Sequence, residues 1–134
     1  MLTRMILAFL LAWAGGAWAG WLQVINFNSD ANVYADPATI SNTGNSRVSM
    51  QVLHDSTKVE TIGSGSSGVS FQSAKYVDEF DCKSGETRNL SAILFSGNMA
   101  KGTAVSASDM RKIWTSASDH PTELALWKIA CGKQ

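Results

Sequence analysis

Cysteine, histidine and proline each occur only twice among the 134 residues of the chain, and only 16% of the residues are charged. The 11 basic and 11 acidic residues cancel, and no block of like charge stands out. A nucleic-acid-binding protein needs a basic stripe or patch, so we expect no nucleic-acid partner. The two histidines, His54 and His120, lack metal-ligand spacing to either cysteine, and we expect no metal site and no cofactor.

The N-terminal segment has the layout of a secretory signal peptide. Arg4 supplies a positive start, residues 5–13 form an apolar core, and residues 17–19 (Ala-Trp-Ala) have the small-x-small pattern of a cleavage site. A membrane-spanning helix needs about 20 apolar residues, and the glycines that follow this core interrupt the run too early. We expect a signal peptide over 1–19, a single domain over 20–134, and a periplasmic or secreted protein. No cysteine lies near the cleavage site, so we expect neither lipidation nor embedding in the membrane.

Most of the mature chain has the pattern of antiparallel strands. Residues 21–27 read as a first strand, and residues 47–54 alternate well, with Val48, Met50 and Val52 on one face. Segments 69–82 and 87–96 flank a Lys-Ser-Gly-Glu turn, which predicts a hairpin. Pro37 should stop the second strand, because proline cannot donate to a central ladder. The pattern therefore predicts five to six antiparallel strands.

The C-terminal segment changes to helical spacing. Pro121 stands where a first helical position would be, and Gly132 stands where a helix would stop. At the spacing of a helix, Leu124, Trp127 and Cys131 form one stripe, which Leu126, Ile129 and Ala130 widen. A helix this apolar should pack against the sheet. The predicted fold class is α+β, with the sheet packed on one C-terminal helix.

The two cysteines, Cys82 and Cys131, are candidates for a disulfide because the chain is expected to be exported. Alternation places Cys82 on the strand face of Tyr76 and Phe80, and Cys131 lies on the helix stripe, so both should face the helix–sheet interface. A redox pair usually has Cys-x-x-Cys spacing, which is absent. A nucleophilic cysteine needs a positioned histidine, and His120 lies at the start of the helix. We predict the disulfide, with a reactive or metal-binding thiol as the weaker alternative.

An acidic cluster precedes Cys82, with Asp78, Glu79 and Asp81 close to Arg88 across the predicted hairpin. Paired carboxylates can carry out acid–base chemistry. Alternation, however, puts Glu79 and Asp81 on the polar face, away from the core. Opposite charges across a hairpin commonly stabilise sheets, so we predict that Arg88 forms a structural ion pair with Glu79 or Asp81.

Three short motifs contain residue types found in functional sites, but each lacks the necessary context. Gly63, Gly65 and Gly68 fit a phosphate-binding pattern, yet the following segment reads as a strand where a helix is required. His54-Asp55-Ser56 contains catalytic residue types, although adjacency in sequence is not triad geometry. Asn26, Asn28 and Asp30 alternate like calcium ligands, without the glycine and distal glutamate of a calcium loop. We therefore predict no catalytic residues and expect a protein that is not an enzyme.

Several segments, spread over the mature chain, resemble the surface-adhesin protein E family of small exported bacterial proteins. They are "VYADPATI", Ser73 and Lys75 within "SAKYVDEFDC", "DCKSGETRNLS" with Arg88, "KGTAV", Trp114 and the final "LWKIAC". The resemblance implies an antiparallel sheet curved around a C-terminal helix, with the two cysteines bridged. It also implies that two copies can form a homodimer, and that the partners are host matrix or serum proteins.

The function expected from these observations is that of an exported, non-enzymatic binding module. The alternative is a soluble periplasmic protein of envelope maintenance or stress response that has no contact with a host. Trp21 opens a strand that is apolar on both faces, so it should pack in the core or at a dimer interface. Binding residues are expected in the loops or around Trp21.

Overall fold

A computed structural model describes residues 20–24, 30–110 and 113–132. The elements, in chain order, are β1 (Leu22–Val24), β2 (Ala31–Gly44), β3 (Arg47–Ile62), β4 (Val69–Asp81), β5 (Glu86–Phe95), β6 (Ala104–Asp109), β7 (Thr115–Ser116) and α1 (Pro121–Ala130). The strands form one antiparallel sheet with the order β1-β2-β3-β4-β5-β6, and β7 pairs with the start of β5. The α+β fold class, a curved antiparallel sheet with one C-terminal helix and one disulfide, is confirmed.

The core lies between α1 and one face of the sheet, which we call the helix face. Met50 and Val52 of β3 and Phe80 of β4 are completely buried there, as alternation predicts. On the helix, Leu126 and Ala130 are the buried positions. The centre of the helical stripe is therefore displaced from the predicted Leu124–Trp127–Cys131 line, because the helix lies over β1, β2, β3 and β5. Burial of a large apolar side chain stabilises the fold by about 2 kcal/mol.

A disulfide joins the end of the helix to the sheet. The sulfur atoms of Cys82 and Cys131 are bonded, and the two residues are separated by 49 positions in sequence. Trp127 supports the same junction, because its indole Nε1–H donates to the carbonyl oxygen of Asp81 at 2.9 Å. Gly132 follows with a φ of 64°, a conformation that favours glycine and ends the helix where the sequence predicts.

The prediction that Pro37 stops the second strand is wrong. β2 continues to Gly44, but its register with β3 shifts between the pairs Asp36–Gln51 and Ser41–Ser49. Within this irregular stretch, the Thr39 hydroxyl oxygen accepts a hydrogen bond from the Gln51 N–H at 2.9 Å. A side chain thus takes the place of the ladder bonds that proline and its neighbours do not make.

Some predictions fall outside the described residues. The signal peptide over 1–19 is one of them, and so are residues 25–27 of the predicted first strand, together with Asn26 and Asn28 of the calcium-like pattern. Trp21 is described, and it lies half-buried just before the edge strand β1. No helix in the described part of the chain is long and apolar enough to cross a membrane.

Candidate functional site

Glu79, Asp81 and Arg88 of the β4–β5 hairpin lie on the face of the sheet that points away from α1, which we call the outer face. Glu79 in β4 stands directly opposite Arg88 in β5. The Arg88 guanidinium donates to one Glu79 carboxylate oxygen from Nη2 at 2.7 Å and from Nε at 2.9 Å. Asp81, which stands opposite Arg47 in β3, accepts from Arg47 Nε at 3.2 Å instead. The structure therefore brings Arg88 to Glu79 and leaves Asp81 to a different arginine.

Trp114 covers these two arginines. Strand β7 pairs with the first residues of β5, through Glu86–Ser116 and Thr87–Thr115, and this pairing brings the preceding Trp114 over the outer face. The guanidinium carbons of Arg88 and Arg47 lie 4.5 and 5.0 Å from the centre of the Trp114 ring. Each such contact is worth about 0.5–1 kcal/mol at an exposed site and more where water is excluded. We call Arg47, Glu79, Asp81, Arg88 and Trp114 the arginine–tryptophan cluster.

The environment of the two carboxylates differs from the expectation. Alternation places Glu79 on the polar face, away from the core, but only 6% of its surface is exposed, since alternation specifies the face of a strand and not what covers that face. Asp81 accepts the backbone N–H groups of Ser84 and Lys83, each at 3.0 Å. The hydrogen bond from the Ser84 N–H has the largest effect and lowers the pKa of Asp81. The bonds from Arg47 and from the Lys83 N–H act in the same direction.

A cleft of about 220 Å³ lies beside the cluster, between the start of β5, β7 and the N-terminal end of α1. Polar groups from all three elements line it, together with one aliphatic side chain: Thr87, Arg88, Asn89, Ile113, Thr115, His120 and Glu123. Ile113 is 82% exposed and is the neighbour of Trp114 in sequence. An apolar residue this exposed beside a tryptophan and two arginines has the composition of a protein-binding surface.

Asp78 is buried behind the cleft on the helix face. It lies between Tyr76 and Phe80 in β4, only 3% of its surface is exposed, and its Oδ1 accepts a hydrogen bond from Asn89 Nδ2. Burial raises the pKa of Asp78 to about 7, and the negative charge of Glu123 on α1 adds to the rise, while the bond from Asn89 opposes it. Burial also raises the pKa of Glu123. Sequence reasoning assigned no role to Asp78, although alternation places it between two core residues.

The other motifs do not form sites. The His54 ring packs edge-on against Tyr76 at 5.0 Å on the helix face, and burial lowers the pKa of His54. Asp55 points to the outer face, where its Oδ1 accepts from Asn98 Nδ2 and from the Met99 N–H. The His54 and Asp55 side chains therefore lie on opposite faces of the sheet. Residues Gly65–Ser67 form a short 3₁₀ turn that leads into β4, and no cluster of metal ligands occurs in the described ranges.

Sequence reasoning did not connect Trp114 with the two arginines. The contact depends on β7, a strand of two residues, pairing with the start of β5. A segment this short has no periodicity from which the contact of Trp114 with the arginines could be predicted. The available signal was compositional, because an Ile-Trp pair in an otherwise polar segment is unusual enough to mark a candidate surface.

Comparisons with known proteins agree with this architecture. Crystal form II of Haemophilus influenzae protein E superposes with a TM-score of 0.60 at 14% sequence identity, covering 83% of this chain and 96% of that chain. A selenomethionine form of the same protein gives a TM-score of 0.64 at 14% identity, with 85% and 87% covered. These likenesses show a shared fold. No curated protein matches the chain in sequence. The profile of the Surface-adhesin protein E family matches residues 21–132, and the chain therefore belongs to that family.

Proposed function

We propose that the protein is an exported, non-enzymatic protein-binding module whose binding surface is the arginine–tryptophan cluster together with the adjoining cleft. The observation that carries this proposal is the position of Trp114, held against Arg47 and Arg88 beside the exposed Ile113. Tryptophan and arginine supply a disproportionate share of the binding energy at protein interfaces. Membership of an adhesin family supports a protein partner, and host matrix or serum proteins are the partner class that we propose.

The cluster is organised before any partner arrives. Glu79 holds the Arg88 guanidinium, and Asp81 holds that of Arg47. Because the two guanidinium groups are already held in place, binding of a partner to Trp114 would cost less side-chain entropy than binding to two mobile arginines. The two cations and two anions also cancel. We therefore expect association through stacking and apolar contact, with only a weak dependence on salt.

The experiment measures binding of the purified exported protein to immobilised matrix and serum proteins by surface plasmon resonance. Ile113→Ser should weaken binding to the partner by about tenfold, because it removes an exposed apolar contact without touching the core. The matched control is Val59→Ser, an aliphatic residue 61% exposed on the β3–β4 hairpin, which should leave the affinity unchanged. Equal weakening by both variants would place the surface elsewhere. A panel in which nothing binds the wild-type protein would contradict the proposed partner class.

A soluble periplasmic role is the second candidate, and one observation favours it. The only two cysteines of the sequence are joined to each other, so neither carries a lipid. Cell fractionation and surface labelling distinguish the two candidates. Labelling of intact cells supports the adhesin, whereas protein found only in the periplasmic extract, with no label, supports the envelope role.

A homodimer, which the family resemblance implies, is also proposed. Its support is the edge strand β1, where Leu22 is 50% exposed next to Trp21. An exposed strand edge can pair with a second copy. Sedimentation velocity should give a dimer that dissociates in Leu22→Arg. A wild-type monomer at all concentrations would exclude the dimer.

A further inference from the structure

We propose that the C-terminal end of α1 positions Arg47, one half of the arginine–tryptophan cluster, from the opposite face of the sheet. The connection runs through Asp81, the last residue of β4, and is held by the Cys82–Cys131 disulfide. The protein then presents the complete cluster only in its disulfide-bonded form. This inference deepens the proposed function, and its importance for partner binding rests on that function.

Asp81 is bonded to groups on both faces of the sheet. Its backbone carbonyl oxygen accepts a hydrogen bond from the indole Nε1–H of Trp127, in the last turn of α1, at 2.9 Å. Its side chain lies on the outer face, where Oδ2 accepts from Arg47 Nε at 3.2 Å. One residue therefore links the helix to an arginine that Trp114 covers. A shift of the backbone at Asp81 would move the carboxylate that holds this arginine.

Cys82 fixes the backbone immediately after Asp81. Its N–H donates to the carbonyl oxygen of Ser46 at 2.7 Å, and its sulfur is bonded to Cys131 at the C-terminal end of the helix. Ser46 precedes Arg47, and the pair Arg47–Asp81 ends the ladder between β3 and β4. Backbone at the end of an element opens more readily than backbone in its middle. The disulfide therefore restrains the sheet at the point where fraying would release Arg47.

Arg88, the other half of the cluster, is held by groups of the sheet. Its partner Glu79 has only 6% of its surface exposed, and the pair Glu79–Arg88 lies inside the ladder between β4 and β5. Strand β7 pairs with the residues just before Arg88 and brings Trp114 over it. Release of the helix end should therefore loosen Arg47 and leave Arg88 in place.

Reduction of the disulfide is the chemical step that would release the helix end. A small dithiol transfers two electrons and two protons to the pair, so that the S–S bond breaks, Cys82 and Cys131 become thiols, and the reductant forms its own disulfide. Both cysteines are half-buried, so a small thiolate can reach them. After reduction, the last turn of α1 keeps the hydrogen bond from Trp127 to Asp81 but loses its covalent connection to the end of β4.

Side-chain NMR of the two arginines in the free protein tests the positioning. Trp127→Phe keeps an aromatic ring and the disulfide but removes the Nε1–H donor. At mildly acidic pH, the Arg47 Nε–H should exchange with water about fivefold faster than in the wild-type protein, the factor expected for loss of one hydrogen bond. The Arg88 Nε–H should keep its exchange rate. Equal acceleration at both arginines, or no change at Arg47, would overturn the proposal.

The matched control is Trp21→Phe, the same replacement at a half-buried tryptophan beside the edge strand β1. It should leave the exchange of both arginines unchanged. Reduction of the wild-type protein with dithiothreitol is the second measurement, in case Trp127→Phe does not fold. While the slowly exchanging amides of β4 report an intact sheet, the Arg47 Nε–H should again accelerate and that of Arg88 should not. The same exchange rate for Arg47 in the reduced and the oxidised protein would contradict the role of the disulfide.

Partner binding separates this proposal from the proposed function. For a matrix or serum protein that binds the wild-type protein, Trp127→Phe should weaken binding about threefold, because Arg47 is no longer held in place against Trp114. Unchanged affinity in this variant, for a partner whose binding Ile113→Ser weakens, would show that the helix end does not act on the binding surface. A panel in which nothing binds contradicts the proposed partner class alone, since the arginine exchange rates decide the positioning without any partner.

Discussion

The helix face of the sheet is covered by one apolar helix, whereas the outer face is covered by polar side chains and short segments. On the helix face, Met50, Val52, Phe80 and Leu126 are fully buried. On the outer face, the arginine–tryptophan cluster occupies one end of the β4–β5 hairpin, and the loop between β5 and β6 occupies the other. One face is stabilised mainly by apolar burial, which is non-directional. The other depends on hydrogen bonds and charge pairs, each of which needs its own partner.

This difference bears on where a binding surface can evolve. A substitution in the helix-face core disturbs close packing in every neighbouring side chain. The outer face carries its polar groups in small separate units, so one unit can change without unfolding the rest. Asp78 is the exception on the helix face, where burial raises its pKa to about 7.

The largest expected effect comes from breaking the connection between helix and sheet. Replacing Cys82 and Cys131 with serine, or reducing the disulfide, should lower the free energy of unfolding by about 4 kcal/mol, because the closed loop of 49 positions constrains the unfolded chain. Chemical denaturation with and without reductant measures the loss. Mass spectrometry of the unreduced protein should find no free thiol, and two alkylatable thiols would contradict the bridge.

An intermediate effect is expected from the outer-face ion pair. Glu79→Gln should destabilise the protein by about 2 kcal/mol, because Arg88 would lose its charged partner beneath Trp114. The structural role predicted for this pair is tested directly. The comparison variant is Asp81→Asn. The ion-pair partner of Asp81 is Arg47, which is half-exposed, so loss of this pair should lower the free energy of unfolding by no more than about 1 kcal/mol. Urea denaturation gives both values, and equal losses would show that burial does not distinguish the two pairs.

The smallest effect is expected at the other end of the outer face. The Ser73 hydroxyl donates to the Gly97 carbonyl at 2.6 Å and accepts from the Ala100 N–H at 2.9 Å. Ser73→Ala should cost about 1 kcal/mol, since two backbone groups lose a buried partner. Met99 and Ala100 adopt left-handed φ angles of 56° and 57°, so the released loop should relax and exchange its amides faster. An unchanged exchange rate at Ala100 would show that Ser73 does not hold the loop.

Local sequence patterns predicted the structure correctly where the position of a residue depends on its own strand or helix alone. The alternation of residues 47–54 located the helix-face core positions Met50 and Val52 of β3, and Pro121 with Gly132 located the ends of α1 within a residue or two. Pro37 misled because the strand continues past it through a shift of register, where the Thr39 hydroxyl of the same strand compensates by accepting the Gln51 N–H. Such compensation depends on the register with β3, which no local pattern records.

By itself, the sequence determined the β-rich class, the single closing helix, the helix face of β3 and β4, and the pairing of the only two cysteines. These features follow from periodicity and from the scarcity of cysteine. Only the tertiary structure decided that Trp114 covers Arg47 and Arg88, that Glu79 is buried, and that burial raises the pKa of Asp78. The physical reason is that a strand pattern specifies the direction of a side chain, while burial and pKa depend on residues from elements distant in sequence.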